Sequence, residues 1–162
     1  YGPLGSAGFV NYNYDARNRL TSVGTIGTGF TYYGYDSENN RVSVTTPAGV
    51  TRYLVDPHGD ALPRVLVREK PDTSKTTYVY GIGLLYEVND STGDATYYHY
   101  DNIGSTAALT GPTGTVTDRV EYSPYGQITY RWGTTDTPFL YVGQFGVHHE
   151  NNGLLYMRAR YY

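Results

Sequence analysis

Carboxylates close to aromatic residues are the first groups in this sequence that could do chemistry. Asp118 and Glu121 lie three residues apart, and Glu150 follows two histidines. Most glycoside hydrolases use two such acids, one as general acid and the other as base or nucleophile. Residues three apart on a strand point to opposite faces of a sheet, however, so Asp118 and Glu121 do not form a ready pair. We expect all three carboxylates to be solvated or paired with arginine, and a glycoside hydrolase remains the catalytic alternative.

The histidine pair His148-His149 does not predict a metal site. Adjacent side chains on a strand point to opposite faces, so two such rings do not chelate one ion. The following Asn151-Asn152-Gly153 is typical of a polar turn. The sequence also has no Gly-x-Ser-x-Gly element that would place a serine nucleophile. We therefore expect no metal, no cofactor and no catalysis by the chain itself.

Tyrosine offers a further kind of chemistry, because an exposed ring can stack on the face of a sugar. The chain has 20 tyrosines among 162 residues. Rings that recur at repeat spacing instead favour a structural role, in which each cross-strand pair stabilises a sheet by roughly 0.2–1 kcal/mol. We favour the structural role and keep a carbohydrate-binding surface as an alternative. Its candidate residues are Tyr98, Tyr100, Tyr122, Tyr125, Arg158 and Arg160.

The tyrosines recur in a repeat of about 20 residues. Tyr-x-Tyr places two rings on one face of a strand, and the aspartate that follows ends the strand and holds a tight turn. Asn or Gly then supplies a positive φ angle, and a second strand returns. Each unit is thus predicted to be a β-hairpin, and a further unit is expected around Tyr78-Val79-Tyr80-Gly81. The predicted turn aspartates are Asp15, Asp36, Asp56 and Asp101.

This pattern resembles the YD-repeat, or Rhs-repeat, family over roughly residues 9–162. Tyr122-Ser123-Pro124-Tyr125-Gly126-Gln127 and the segment Gly153–Tyr162 are also similar to the start of the Rhs-associated core. The resemblance implies a bacterial, secreted or cell-surface shell that encloses a variable C-terminal toxin. The partners it implies are the rest of the parent shell and that toxin.

The family pattern continues past Arg-Tyr-Tyr into Asp-Pro motifs whose aspartates resemble the pair that releases the toxin, whereas this chain stops at Tyr162. The resemblance therefore carries over the wall of the shell and no protease residues. We expect Gly153–Tyr162 to be one closing strand, with Leu155, Met157, Ala159 and Tyr161 buried on one face.

Composition sets the remaining expectations. The formal net charge of −3 argues against a nucleic-acid partner, which requires a basic face. Cysteine is absent, which excludes disulfides, and no apolar run is long enough to span a membrane as a helix. Residues 1–7 resemble a tag remnant or leader, residues 8–118 are the predicted repeat hairpins, and residues 119–162 are closing hairpins of the same domain.

The predicted fold is all-β. Six or seven hairpins should pair in one strongly twisted antiparallel sheet, shaped as a half-shell or barrel-like, with almost no helix. A single hairpin is only marginally stable, so neighbouring hairpins must pair edge to edge. Exposed sheet edges should also favour association between copies of the chain.

Overall fold

The computed structural model describes residues 10–25, 29–59, 62–158 and 160–162. The predicted tag remnant at residues 1–7 lies outside the described residues. The predicted division at residue 118 falls within a strand, Val116–Tyr122, and stays a prediction.

Twelve strands form one antiparallel sheet in which every strand pairs with its neighbours in the sequence. They make six hairpins, so the all-β prediction is confirmed and the hairpin expected around Tyr80 is present. The sheet does not close into a barrel, because β1 and β12 lie at opposite edges. The strands are β1 Val10–Tyr14, β2 Leu20–Thr25, β3 Gly29–Tyr35, β4 Arg41–Thr46, β5 Gly49–Asp56, β6 Arg64–Glu69, β7 Lys75–Tyr80, β8 Leu84–Asn89, β9 Ala95–Tyr100, β10 Thr106–Thr110, β11 Val116–Tyr122 and β12 Ile128–Trp132.

Aspartates organise the turns inside several hairpins. One oxygen of Asp15 accepts from the backbone N–H groups of Arg17 and Arg19, both at 2.9 Å. The carboxylates of Asp36 and Asp101 accept in the same way from the second and fourth residues after them. Asp56 accepts from the backbone of His58. The donors are thus the second and fourth residues, and one carboxylate spans the whole turn.

A β-bulge follows each of these turns. In all six hairpins the pairing register shifts by one residue where the returning strand begins. A bulge bends its strand and increases the local twist. Repetition of the bulge at one end of every hairpin therefore favours a bent and twisted sheet.

Tyrosine hydroxyls join successive hairpins. The Tyr35 hydroxyl donates to the Leu20 carbonyl at 2.8 Å, and the Tyr100 hydroxyl donates to the Leu84 carbonyl at 2.8 Å. Tyr80 and Tyr122 make equivalent bonds to the preceding hairpin. The second tyrosine of each motif is thus a link between repeats as well as an apolar ring.

Residues 133–162, which we call the C-terminal segment, pack across one face of the sheet, the covered face. The segment contains a short 3-10 turn, Gly143–Phe145, and a small sheet of β13 His148–His149, β14 Leu155–Met157 and β15 Arg160–Tyr161. It is anchored at β10, where the Thr106 backbone N–H donates to the Leu140 carbonyl at 2.9 Å.

The prediction of one closing strand over Gly153–Tyr162 is wrong. Arg158 has a φ of 55°, so the chain turns back and β14 pairs antiparallel with β15. Tyr156 pairs with Tyr161, and their ring centroids lie 5.0 Å apart. The alternation of faces expected for a single strand therefore does not hold here. Ala159 lies outside the described residues.

Two apolar clusters lie between the sheet and the C-terminal segment. Phe139, 1% exposed, packs among Tyr78, Leu84, Tyr98 and Leu109. The second cluster lies near the other end of the sheet, where Leu154 and Tyr161 of the C-terminal segment cover it. Its buried residues are Leu20, Val23, Tyr33 and Val44.

Candidate functional site: a buried polar network under the C-terminal segment

Arg41 lies at the centre of a buried polar cluster that joins the sheet to the C-terminal segment. Its residue exposure is only 3%, and its Nη1 lies 2.6 Å from Oε1 of Glu150. The same nitrogen donates to the Tyr161 hydroxyl at 3.2 Å. The guanidinium carbon also lies 4.0 Å from the centroid of the Tyr156 ring, within cation–π range.

The register of the repeat explains why Arg41 is buried. Arg41 is the first residue of β4, and Leu20 and Leu84 are the first residues of β2 and β8. Both leucines are buried on the covered face. The arginine therefore occupies a core position of the repeat, where only paired or stacked charge is tolerated.

His148 completes this cluster. Its ring is buried, and Nδ1 lies 2.9 Å from Nη2 of Arg41. Because the arginine donates, Nδ1 must be the unprotonated acceptor nitrogen. Burial, followed by the positive charge of Arg41, holds the pKa of His148 well below its usual range. His148 is thus a neutral structural acceptor.

Glu150 keeps Arg41 charged inside the protein. Burial alone would lower the pKa of Arg41, but the carboxylate of Glu150 and the surrounding tyrosines raise it. Tyr33 lies beside the same group, and burial raises the pKa of its hydroxyl to about 12. The cluster therefore holds a buried ion pair between Arg41 and Glu150.

A second polar cluster lies on the neighbouring strands. Arg68 is buried and donates from Nη2 to the backbone carbonyl of Asp136 at 2.6 Å. Glu87 is also buried and accepts from the Tyr98 hydroxyl at 2.5 Å. That hydroxyl also lies 2.5 Å from Oγ1 of Thr137. Burial raises the pKa of Glu87, against the opposing effects of Tyr98 and Arg68.

The three candidate catalytic carboxylates have separate surroundings. Asp118 is fully buried, accepts from the backbone N–H of Thr135 at 3.1 Å, and also accepts from the Thr135 hydroxyl. Glu121 is exposed, and Glu150 forms the ion pair with Arg41. The structure brings no two of them together on a common partner within its described residues, and their catalytic role stays a prediction.

The candidate sugar-binding residues are also dispersed. Tyr98 is buried beneath Phe139, whereas Tyr125 is 88% exposed in the turn before β12. The hydroxyls of Tyr100 and Tyr122 donate hydrogen bonds to backbone carbonyls of the preceding hairpin. Arg158 donates to the backbone carbonyls of Pro63 and Phe145, and Arg160 is exposed. Sugar binding by this set stays a prediction.

Sequence reasoning missed Arg41, His148, Arg68 and Glu87 as members of a network. A signal for three of them is present in the repeat. Arg41, Arg68 and Glu87 stand where other hairpins have Leu20, Val23 and Leu109. A charged residue at a repeated core position predicts a buried partner elsewhere in the chain.

Across residues 10–25, 29–59, 62–158 and 160–162, no three His, Asp or Glu side chains are grouped so that they could hold a metal ion. Within those same ranges no helix is long and apolar enough to cross a membrane. The contacts of Arg41 with Glu150 and of Arg68 with the Asp136 backbone join the C-terminal segment to the sheet.

The fold and the network define an open, all-β repeat sheet with a tyrosine-rich covered face. The model of the RHS Repeat family matches residues 10–51, which contain the first two hairpins. The resemblance to the YD/Rhs-repeat family predicted from the sequence is thereby confirmed, and the match places the first two hairpins in that family.

Two relatives are similar in sequence to nearly the whole of this chain. The tRNA(Glu)-specific nuclease WapA of Bacillus subtilis subsp. natto is 33% identical over 163 residues. The tRNA3(Ser)-specific nuclease WapA of Bacillus spizizenii is 32% identical over 164 residues. Both matches cover 97% of this chain but only 7% of the relative. The chain thus corresponds to a small part of these proteins.

Solved structures share the fold at low sequence identity. The structure of TcdB2-TccC3 without the hypervariable C-terminal region superposes with a TM-score of 0.69 at 16% identity. The Photorhabdus luminescens Tc holotoxin pore superposes with a TM-score of 0.67 at 17% identity. Each match covers 94% of this chain and 8% of the other chain. At these identities the likeness concerns the fold.

Proposed function

We propose that this chain is a wall segment of a Rhs-type shell and performs no catalysis by itself. The observation that carries the proposal is that the hairpins form one open sheet, of which the C-terminal segment covers one face. Six hairpins pair in chain order, and residues 133–162 cover one face and fasten to it through Arg41–Glu150. The polar groups buried beneath that segment bond mainly to one another, as expected of a structural layer.

The sheet edges support a place in a longer wall. Among the described strands, β1 and β12 each have one neighbour. An unpaired strand edge is a template for another strand. Because pairing follows chain order throughout, further hairpins of the same polypeptide would extend the sheet in the same manner.

The comparisons support a toxin-related setting for this wall. The similar proteins include tRNA nucleases named WapA and chains of a Tc holotoxin pore. We propose that the shell is secreted or presented at a bacterial cell surface and that it encloses a toxin domain. The partners of this segment are then the neighbouring repeats and the enclosed domain.

Electron cryomicroscopy of the longer polypeptide that carries this segment tests the proposal. The expected map shows six hairpins continuous with neighbouring strands at both β1 and β12. A segment folded apart from the rest, with both edges capped by unrelated structure, would contradict it.

The enzymatic alternative can be tested on the chain itself. Purified protein is incubated with a panel of chromogenic glycosides, together with the Glu121→Gln and Glu150→Gln variants. The structural proposal predicts no turnover above buffer. Turnover that persists through purification and disappears in one variant would overturn it.

Carbohydrate binding is a second candidate, supported by rings on the open face of the sheet, the face opposite the C-terminal segment. Tyr97 and Trp132 are 42% and 52% exposed, and the Tyr86 and Tyr97 ring centroids lie 5.3 Å apart. A glycan array is the suitable measurement. Binding that is lost in Trp132→Ala but kept in Glu121→Gln would support this function, and an array without signal would reject it.

A further inference from the structure

Four arginines surround one hollow near the first two hairpins. The hollow has a volume of about 640 Å³, and Arg17, Arg19, Arg158 and Arg160 are among the residues that line it. The first two belong to the turn between β1 and β2, and the others belong to the hairpin of β14 and β15. The hollow thus forms only where the C-terminal segment meets the sheet.

Local bonds hold three of these guanidinium groups in place. Arg19 lies 2.6 Å from Oδ2 of Asp15, and its Nη1 donates to Oδ1 of Asn39 at 3.1 Å. Arg17 reaches the same Asn39 oxygen at 3.4 Å. Arg158 donates to two backbone carbonyls, which leaves its charge without a carboxylate partner among the described residues.

The fourth arginine is the most available. The side chain of Arg160 is exposed and has no hydrogen-bond or ion-pair partner among the residues that the structure describes. An unpartnered guanidinium has five N–H donors free to bind an anion.

The charges around the hollow do not balance. The carboxylate of Asp15 pairs with Arg19 at 2.6 Å, whereas Asp36 offers Arg19 its backbone carbonyl, and neither aspartate lines the hollow. Both are engaged in holding their own turns. The described residues that line the hollow thus include four arginines and no Asp or Glu, although the chain as a whole has a net charge of −3. Concentrated like charges in a cleft repel one another and attract a counter-ion.

We propose that this hollow binds a ligand that carries clustered phosphate groups. The planar guanidinium fork matches two phosphate oxygens at once, so several forks around one hollow favour a multivalent phosphate over a single carboxylate. The aromatic rings of Tyr14, Tyr35 and Tyr161 also line the hollow. These rings supply apolar surface for the body of the ligand, next to the arginines that hold its phosphates.

Titration calorimetry at low ionic strength tests the proposal, with inorganic pyrophosphate as the probe and acetate as the monovalent control. Pyrophosphate should bind, and added salt should weaken the binding. Removal of one charge-assisted contact in Arg160→Gln should weaken it roughly tenfold. Arg119→Gln, which removes an exposed arginine outside the hollow, should leave it unchanged.

Phosphate can come from a soluble compound or from a lipid headgroup. Sedimentation with phosphatidylglycerol vesicles distinguishes these sources, and either outcome that depends on Arg160 supports the site. Absence of binding to both pyrophosphate and vesicles would overturn it. Equal weakening by Arg160→Gln and Arg119→Gln would also overturn it, because that result indicates attraction to general charge.

Discussion

The guanidinium of Arg41 and the carboxylate of Glu150 meet at 2.6 Å although 109 positions separate them in the chain. The arginine lies on a sheet strand and the glutamate lies in the C-terminal segment. Both side chains are nearly inaccessible, at 0% and 10% exposure. The ion pair therefore links the sheet directly to the C-terminal segment that covers it.

Loss of the carboxylate should destabilise the fold strongly. Glu150→Ala leaves the charge of Arg41 buried and unpaired, and breaking a buried pair in this way costs about 3–5 kcal/mol. Urea unfolding should show that loss in the free energy of unfolding. The matched control is Glu121→Ala, an exposed glutamate whose removal should change stability by less than about 0.5 kcal/mol. Equal effects of the two variants would contradict the role given to the pair.

Phe139 should be the main apolar contact of the C-terminal segment. Its ring centroid lies 4.9 Å from that of Tyr78 and 4.8 Å from that of His148. Phe139→Ala should cost about 3–5 kcal/mol through lost burial and the cavity left behind. Phe145→Ala provides the comparison, because Phe145 is 47% exposed. Its effect on urea unfolding should be clearly smaller.

The tyrosine links between hairpins should contribute individually. Tyr100→Phe removes only the hydroxyl that donates to the Leu84 carbonyl. We expect a loss of about 0.5–1.5 kcal/mol, the usual net value of such a bond. Tyr125→Phe serves as the control, since that residue is 88% exposed. A stability for Tyr100→Phe equal to that of the control would show that the hydroxyl bond contributes nothing.

Stability should fall in mild acid because His148 is buried in its neutral form. Arg41, Arg68 and Arg158 all add positive potential at this ring, and the folded-state pKa lies well below the ordinary value of 6.5. Below about pH 6.5 the unfolded chain takes up a proton that the folded chain rejects. The stabilisation is thus complete above that pH and is lost as pH falls, by at most about 1.4 kcal/mol per pH unit.

The measurement for this prediction is urea unfolding between pH 7.5 and 5 on the wild type and on His148→Gln. The variant lacks the titrating ring, so its stability should decline less steeply over this range. Parallel curves would show that His148 does not titrate differently in the two states. Burial also lowers the pKa of His149. Because both proteins contain His149, its contribution cancels when the wild type is compared with the variant.

Much of the fold could be predicted from the repeat. Tyr-x-Tyr-Asp spacing predicts strand, turn and return because side-chain alternation and turn chemistry are local effects. Asn18 and Asn39 adopt the positive φ angles that the pattern requires, at 60° and 71°. The hairpin around Tyr80 was predictable even though its turn has Gly81 in place of aspartate.

The site could not be predicted, because it depends on contacts between distant parts of the chain. Arg41 meets Glu150 only after the C-terminal segment has folded back across the sheet. The alternation of residues also gave a wrong prediction at Arg158. This residue has a φ of 55°, so the chain forms a hairpin there and not a straight strand. That turn follows from the pairing of Tyr156 with Tyr161 under the sheet, which alternation alone does not reveal.

Protease protection, measured in a polypeptide that carries this segment together with the proposed enclosed domain, is the most direct test of the proposed structural wall. The enclosed domain would be probed with trypsin in the wild type, in Phe139→Ala and in the control Tyr125→Phe, and intact domain would be quantified over time. A wall role predicts long protection in the wild type and control, and faster cleavage of the enclosed domain in Phe139→Ala. Equal cleavage of that domain in all three would contradict a wall function for this segment.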